Sequence, residues 1–91
     1  SYQLSENYPN PFNPSTSIIY SIGVAGPVNI AIYDMQGRKV RTLVSRYNSP
    51  GEYRIIWDSL NDAGVSVSAG IYMYKIISND FSASHKMLLL K

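Results

Sequence analysis

The sequence predicts an all-β fold, an antiparallel sandwich of about seven strands with no helix. Three observations carry this. Apolar residues recur with period two through several segments, and none shows a helical period. Turn signals fall roughly every 8–12 residues, the rhythm of a sandwich. The extended segments are rich in Ile, Val and Tyr, which suit a pleated, half-buried surface.

The opening residues are punctuation. Tyr8-Pro9-Asn10-Pro11-Phe12-Asn13-Pro14-Ser15-Thr16 holds three of the five prolines. Each proline fixes its own φ and pushes the residue before it into extended geometry. Residues 1–16 therefore form a stiff lead-in packed on the domain, with Phe12 and Tyr8 available as anchors. Residues 17–91 form the sandwich. Ile18, Tyr20 and Ile22 alternate with Ser17, Ile19 and Ser21, and the Gly23–Pro27 stretch ends that strand. Val28, Ile30 and Ile32 make the cleanest half-buried strand. Asp34-Met35-Gln36-Gly37 signals a tight turn, with Gly37 suited to positive φ. Arg38 to Arg46 returns as the second arm of a hairpin. Its parity slips between Val40 and Leu43, which predicts a bulge or an irregular end.

Asn48-Ser49-Pro50-Gly51 is another turn, and Tyr53, Ile55 and Trp57 face inward from the next strand. Asp58 to Gly64 is a polar loop, followed by a short bridge at Val65 and Val67. Gly70 opens a long strand, with Tyr72, Tyr74 and Ile76 on one face. Asn79-Asp80 turns the chain into a last strand, Phe81 to Leu90.

Composition narrows the function. Ninety-one residues make a single domain. With no cysteine, the core forms without disulfide support. Charged residues are 15% of the chain, below the roughly 25% usual for soluble domains, which argues against disorder and against a charge-laced bundle. The net charge of +2 is far from a nucleic-acid binder's. Arg38, Lys39, Arg41 and Arg46 read as the solvent side of a strand. No apolar run approaches the roughly 18–20 residues of a membrane span. Ser1 to Glu6 lacks the basic and apolar regions of a signal peptide, so any export signal is expected outside this segment.

Catalytic chemistry is poorly provided for. The one histidine, His85, has no acidic neighbour in sequence and reads as an ordinary strand residue. No serine sits in a nucleophile-elbow pattern, and no glycine pattern cradles phosphate. No cofactor is implied. Asp58, Asn61 and Asp62 could place several oxygens on one small cation such as calcium, although the spacing is not that of an EF-hand. A turn network accounts for the same residues. The eight tyrosines raise the alternative of a carbohydrate-binding or adhesive accessory module of a secreted enzyme. Tyr20, Tyr53, Tyr72 and Tyr74 fall on inward faces, leaving Tyr2, Tyr33 and Tyr47 as the better candidates for exposure. Trp57 is expected at the centre of the sandwich, as in many immunoglobulin-like folds.

The residues from Leu4 to Thr16 closely resemble the opening of type A C-terminal sorting domains of the type IX secretion system. The resemblance continues through Val28 to Arg38, Gly51-Glu52-Tyr53, Trp57-Asp58 and Ser68 to Tyr74. It ends with Lys86-Met87-Leu88-Leu89-Leu90-Lys91. The middle motifs are also similar to the immunoglobulin-like module of flagellar hook-capping proteins. The resemblance implies an immunoglobulin-like sandwich of seven strands, placed at the C-terminus of a larger cargo protein and itself non-catalytic. It implies passage through the periplasm, then display at the cell surface or release. The partners implied are an outer-membrane translocon, a surface sortase-like protease and the N-terminal cargo domains of the same precursor. In many members a glycine follows the Trp-Asp pair. Ser59 stands there in this chain, so the loop to Gly64 is expected to close differently.

The sorting signal is expected at Gly70 and Tyr72 and at Lys86, Met87, Leu88, Leu89, Leu90 and Lys91. The last strand carries apolar residues on both faces near its end, Met87 and Leu89 on one and Leu88 and Leu90 on the other. A half-buried strand does not need this. Either the strand is buried on both sides or bulged near Lys86, or the surplus stripe is read by a partner, for instance by strand addition at a sheet edge.

Overall fold

The computed structural model describes residues 1–91. Seven strands form: β1 (Gln3–Leu4), β2 (Thr16–Ile22), β3 (Gly26–Tyr33), β4 (Lys39–Asn48), β5 (Gly51–Trp57), β6 (Gly70–Ser78) and β7 (Phe81–Leu89). They make two sheets, ordered β1-β2-β5 and β4-β3-β6-β7, with every pair of neighbours antiparallel. The short bridge expected around Val65 and Val67 is present as Ser66 with Leu60, and a strand the sequence pattern did not mark is added where Gln3 and Leu4 pair with Ser21 and Tyr20 as β1. A two-residue strand is too short to show a period, so the sequence pattern passes over it.

Period-two alternation does what it should. Ile18, Tyr20 and Ile22 from β2, Val28, Ile30 and Ile32 from β3, and Tyr72, Tyr74 and Ile76 from β6 all point into one core. Trp57 is fully buried at its centre, with Tyr72 edge-on at 5.4 Å and Phe12 tilted against it at 5.8 Å. Its indole N–H donates to the Leu60 carbonyl at 2.9 Å. The inward tyrosines keep their phenols satisfied in the same way. Tyr20 donates to Asn48 Oδ1, Tyr53 to the Ser49 carbonyl, Tyr72 to that of Ser68 and Tyr74 to that of Ser5. Each ring thus fills the core while its hydroxyl ties down a neighbouring segment.

The slip in β4 resolves into two bulges. Ile30 pairs with Val44 but Ala31 with Thr42, and Ile32 pairs with Arg41 but Tyr33 with Lys39. Leu43 and Val40 are the extra residues, which lets Val44 turn inward and bends this edge strand. Gly37 takes φ +83° in the β3–β4 turn. Asp34 closes that turn by accepting the Arg38 and Gln36 backbone N–H groups and the Arg38 guanidinium at 2.9 Å. The hydrogen bond from the Arg38 backbone is the main cause holding its carboxyl below the usual carboxylate range.

The lead-in belongs to the core. Leu4 and Phe12 are both core residues, and the segment crosses from one sheet to the other. Ser5 N–H donates to the Ile19 carbonyl, and Tyr8 and Ser17 exchange both backbone bonds at 2.9 Å. Asn7, buried, donates from its amide to Thr16 Oγ1 at 3.0 Å. Four residues after Tyr8, Phe12 lies parallel to Leu89, donating to the Leu88 carbonyl at 3.0 Å and accepting from Leu90 N–H at 2.9 Å. Tyr8 is not an anchor: its ring is 80% exposed while its backbone holds β2. Prolines leave no period to read, so only the structure separates its ring from Phe12's.

Ser59 takes φ +66°, the left-handed region that favours glycine. It is held there with its hydroxyl donating to the Pro14 carbonyl and its own carbonyl accepting Val67 N–H at 3.0 Å. The serine thus keeps the backbone conformation a glycine would adopt and ties the loop to the lead-in.

Two stability outcomes follow. Phe12→Ala removes a buried ring beside Trp57 and should cost about 3–5 kcal/mol in urea unfolding. Hydrogen exchange at Leu90 N–H should rise in the same variant. Ser59→Gly loses one hydrogen bond but relieves the left-handed strain, and should sit within about 1 kcal/mol of the parent. Ser59→Ala loses the bond and keeps the strain, so it should be the less stable of the two by about 1 kcal/mol.

Candidate functional site

The residues singled out from the sequence gather at one corner of the four-stranded sheet. Gly70 pairs with Leu89, Ile71 with Leu88, Tyr72 with Met87 and Met73 with Lys86. The register of β7 against β6 is continuous, so there is no bulge near Lys86. Nor is the strand buried on both sides. Met87 and Leu89 enter the core at 2% and 0% exposure, Leu88 is half-buried on the outer face, and Leu90 is 48% exposed beyond the strand end. The alternation divides the candidate residues. Tyr72, Met87 and Leu89 are core, whereas Lys86, Leu88, Leu90 and Lys91 are displayed. Lys91 Nζ reaches Ser66 Oγ at 2.9 Å.

Two neighbours were missed by the sequence reading. Ile71, 49% exposed, stands opposite Leu88 and extends the outer apolar strip. Its signal was present, since it shares parity with Met73 and Ile77 on the face of β6 away from the core. Asn10 gave no such signal. Its Oδ1 accepts Leu88 N–H at 3.0 Å, so both backbone groups of Leu88 are already bonded by the lead-in. Strand addition at the last residues would meet an occupied edge. By the alternation of an antiparallel strand, the outward backbone groups of Ser82, Ser84 and Lys86 are the open part of that edge.

Farther along β7, His85 accepts a structural task. Its Nε2 lies 2.8 Å from the Leu4 carbonyl and its ring tilts on Tyr74, fastening β1 to the other sheet. Tyr74 donates to Ser5, and burial pushes its phenol above the usual range. The polar loop is engaged with its own backbone. Asn61 Oδ1 accepts Ala63 and Val65 N–H, and Asp62 Oδ1 accepts Thr42 N–H. Arg41 donates to the Asn61 carbonyl, and Asp58 is exposed. Of the tyrosines, Tyr8 and Tyr47 are the most exposed, and they sit at different sheets, beside β2 and on β4.

The family model described as the FlgD Ig-like domain matches residues 16–80. The chain belongs to the FlgD Ig-like domain family. The match runs from β2 to the turn before β7, so the lead-in and the last strand lie outside it. A search of curated proteins finds no match. Among solved structures, dimeric latent PorU from Porphyromonas gingivalis is similar with a TM-score of 0.77 at 22% identity, over 99% of this chain and 9% of that one. FlgD from Xanthomonas campestris, described for hook capping in flagellar assembly, is similar with a TM-score of 0.66 at 26% identity, over 96% of this chain and 65% of that one. PorZ from Porphyromonas gingivalis, described as an essential surface component of the type IX secretion system, gives 0.64 at 20% identity, over all of this chain and 12% of that one. The chain thus spans less than two thirds of each. What it shares with PorU and PorZ is the immunoglobulin-like fold.

The tyrosine ties give a pH dependence. The Tyr74 phenol is raised in the fold, so its protonated form is the one the fold stabilises. Stability is full below the ordinary tyrosine pKa of about 10 and falls as pH rises above it, because the unfolded chain loses that proton first. Chemical unfolding between neutral pH and strongly alkaline pH should show this fall. Tyr74→Phe should shrink it, while costing about 1–2 kcal/mol at neutral pH from the unpaired Ser5 carbonyl.

Proposed function

We propose that this chain is a non-catalytic sorting module that directs a larger cargo protein across the outer membrane to the cell surface. One observation carries the reading. The first and last motifs of the resemblance to type IX sorting domains, the lead-in and the last strand, bond directly to each other through Phe12, Leu88 and Leu90. They also lie outside the family match that covers the rest of the sandwich. The likeness to PorU extends over 99% of the chain and so takes in both ends. PorZ, a surface component of the type IX system by its description, shares the fold. In this reading the translocon meets the corner built by β6, β7 and Asn10, and the cargo domains precede the lead-in. His85, Tyr53, Tyr72 and Tyr74, bonded to backbone carbonyls, and Tyr20, bonded to Asn48 Oδ1, serve the fold. No helix is long and apolar enough to cross a membrane.

The test is a reporter fused ahead of residues 1–91 and expressed with an export leader in a type IX-competent host. Removing Leu89 to Lys91, or replacing Leu88 and Leu90 with Ser, should strand the reporter in the periplasm. Leu90→Ser alone changes an exposed side chain, so it separates recognition from folding. Normal surface delivery of all three would sink the reading.

A further inference from the structure

The outer face of the four-stranded sheet carries no carboxylate. Its side chains can be read row by row from the register. One row runs Lys39, Tyr33, Met73, Lys86 from edge to edge, the next Thr42, Ala31, Lys75, Ser84, and the next Ser45, Asn29, Ile77, Ser82. Ile71 and Leu88 close one end, Pro27 and Tyr47 the other. Three lysines therefore share a surface with a run of exposed or half-exposed apolar groups. Ile71 is 49%, Ile77 46% and Tyr47 68% exposed. All six acidic residues lie elsewhere: Glu6 in the lead-in, Asp34 and Asp80 in turns, Glu52 on β5, and Asp58 and Asp62 in the polar loop. The outer face of the other sheet differs. There Glu52 and Arg54 stand two residues apart on β5, and Arg54 is bonded to Ser17 Oγ.

We propose that this outer face docks an acidic protein partner, one that presents an apolar side chain flanked by carboxylates. Lys39 shares a recess with Asp34 and Asp62, but Lys75 and Lys86 stand beside apolar surface in rows without a carboxylate, and this favours a partner of opposite charge. The shape selects a protein. Ile71 and Leu88 line a recess with Asn10 and Lys86, and Ile77 lies in a second with Asn29 and Tyr47. A protruding side chain reaches such recesses, whereas a flat lipid surface lies across the lysines above them. The proposal rests on the sorting reading only for when the partner is met, during export. The binding chemistry belongs to the face itself.

The experiment has two arms. In the first, the reporter precursor carries Lys75→Glu with Lys86→Glu, Arg54→Glu as the opposite-face control, or a deletion of residues 1–91. The double variant should lower surface delivery about tenfold or more, because like charges then meet across the interface. The control should behave as the parent. Delivery unaffected by the deletion overturns the sorting reading. Delivery lost on deletion but normal in the double variant overturns the docking proposal alone.

In the second arm, the full 91-residue chain is titrated with a Glu-Glu-Leu-Glu-Glu peptide and followed by amide NMR. Shifts should concentrate at Ile71, Met73, Ile77 and Leu88 and vanish at high salt or in the double variant. Shifts elsewhere, or none, overturn the proposal whatever the export result. So does lysine-dependent flotation with anionic phosphatidylglycerol vesicles, or self-association through this face.

Discussion

Phe12 is the piece on which the sandwich depends. It bridges to Leu89 in the four-stranded sheet, while four residues earlier Tyr8 bridges to Ser17 in the three-stranded one. Its ring packs on Trp57 at the centre of the core. A domain of this size buries only about 60–65% of its unfolded surface, and it has no disulfide to join its sheets. The lead-in performs that joining with backbone bonds and one aromatic ring. Its hold is extended by Ser59 on Pro14, Tyr74 on Ser5 and His85 on Leu4. The contacts of Ser59, Tyr74 and His85 join residues 45, 69 and 81 positions apart in sequence, so the closure is non-local.

Most of the inward side of the fold was legible, because a strand with one buried face must alternate. Ile18, Tyr20, Ile30, Trp57 and Tyr74 were placed inward on that ground and are fully buried. The irregularity of β4 was legible for the same reason, since the slip between Val40 and Leu43 called for a bulge or an irregular end, but that the register shifts twice was not. What parity cannot encode is partnership. Nothing in Gln3–Leu4 announces a strand, because its pairing comes from Ser21 and Tyr20. Nothing in a run of prolines distinguishes the Tyr8 ring, which points to solvent, from the Phe12 ring, which does not. The candidate site suffered in the same way. Leu88 and Leu90 stood out as surplus apolar groups, but Ile71 and Asn10 join them only through register and through the crossing of the lead-in.

Tyrosine is the other organising choice. A core of Ile and Val alone would leave the surrounding loops without fixed attachment. Four inward tyrosines supply apolar rings and, at their tips, hydroxyl donors to Asn48, Ser49, Ser68 and Ser5. Tyr20 and Tyr53 also stack at 5.3 Å across β2 and β5. A sequence rich in tyrosine therefore does not need an aromatic binding platform to explain it. The low charge content fits the same economy, with packing and neutral hydrogen bonds holding the segments and a single ion pair, Arg38 with Asp34, at an exposed turn.

The last strand divides its residues between the core and the surface. Odd-numbered residues Met87 and Leu89 enter the core, and even-numbered Lys86 and Leu88 face out, with Leu90 beyond the strand end. A partner meeting the folded domain has no access to the core residues. What it finds instead is Lys86 and Leu88 beside Ile71 and Met73, with the Leu88 backbone closed off by Asn10 and Phe12. A free peptide copied from Lys86 to Lys91 would hold the letters of the motif without the neighbouring β6 side chains or the covered edge. The surface at this corner is therefore assembled from three parts of the chain. Any loosening of the lead-in changes that surface as well as the stability beneath it.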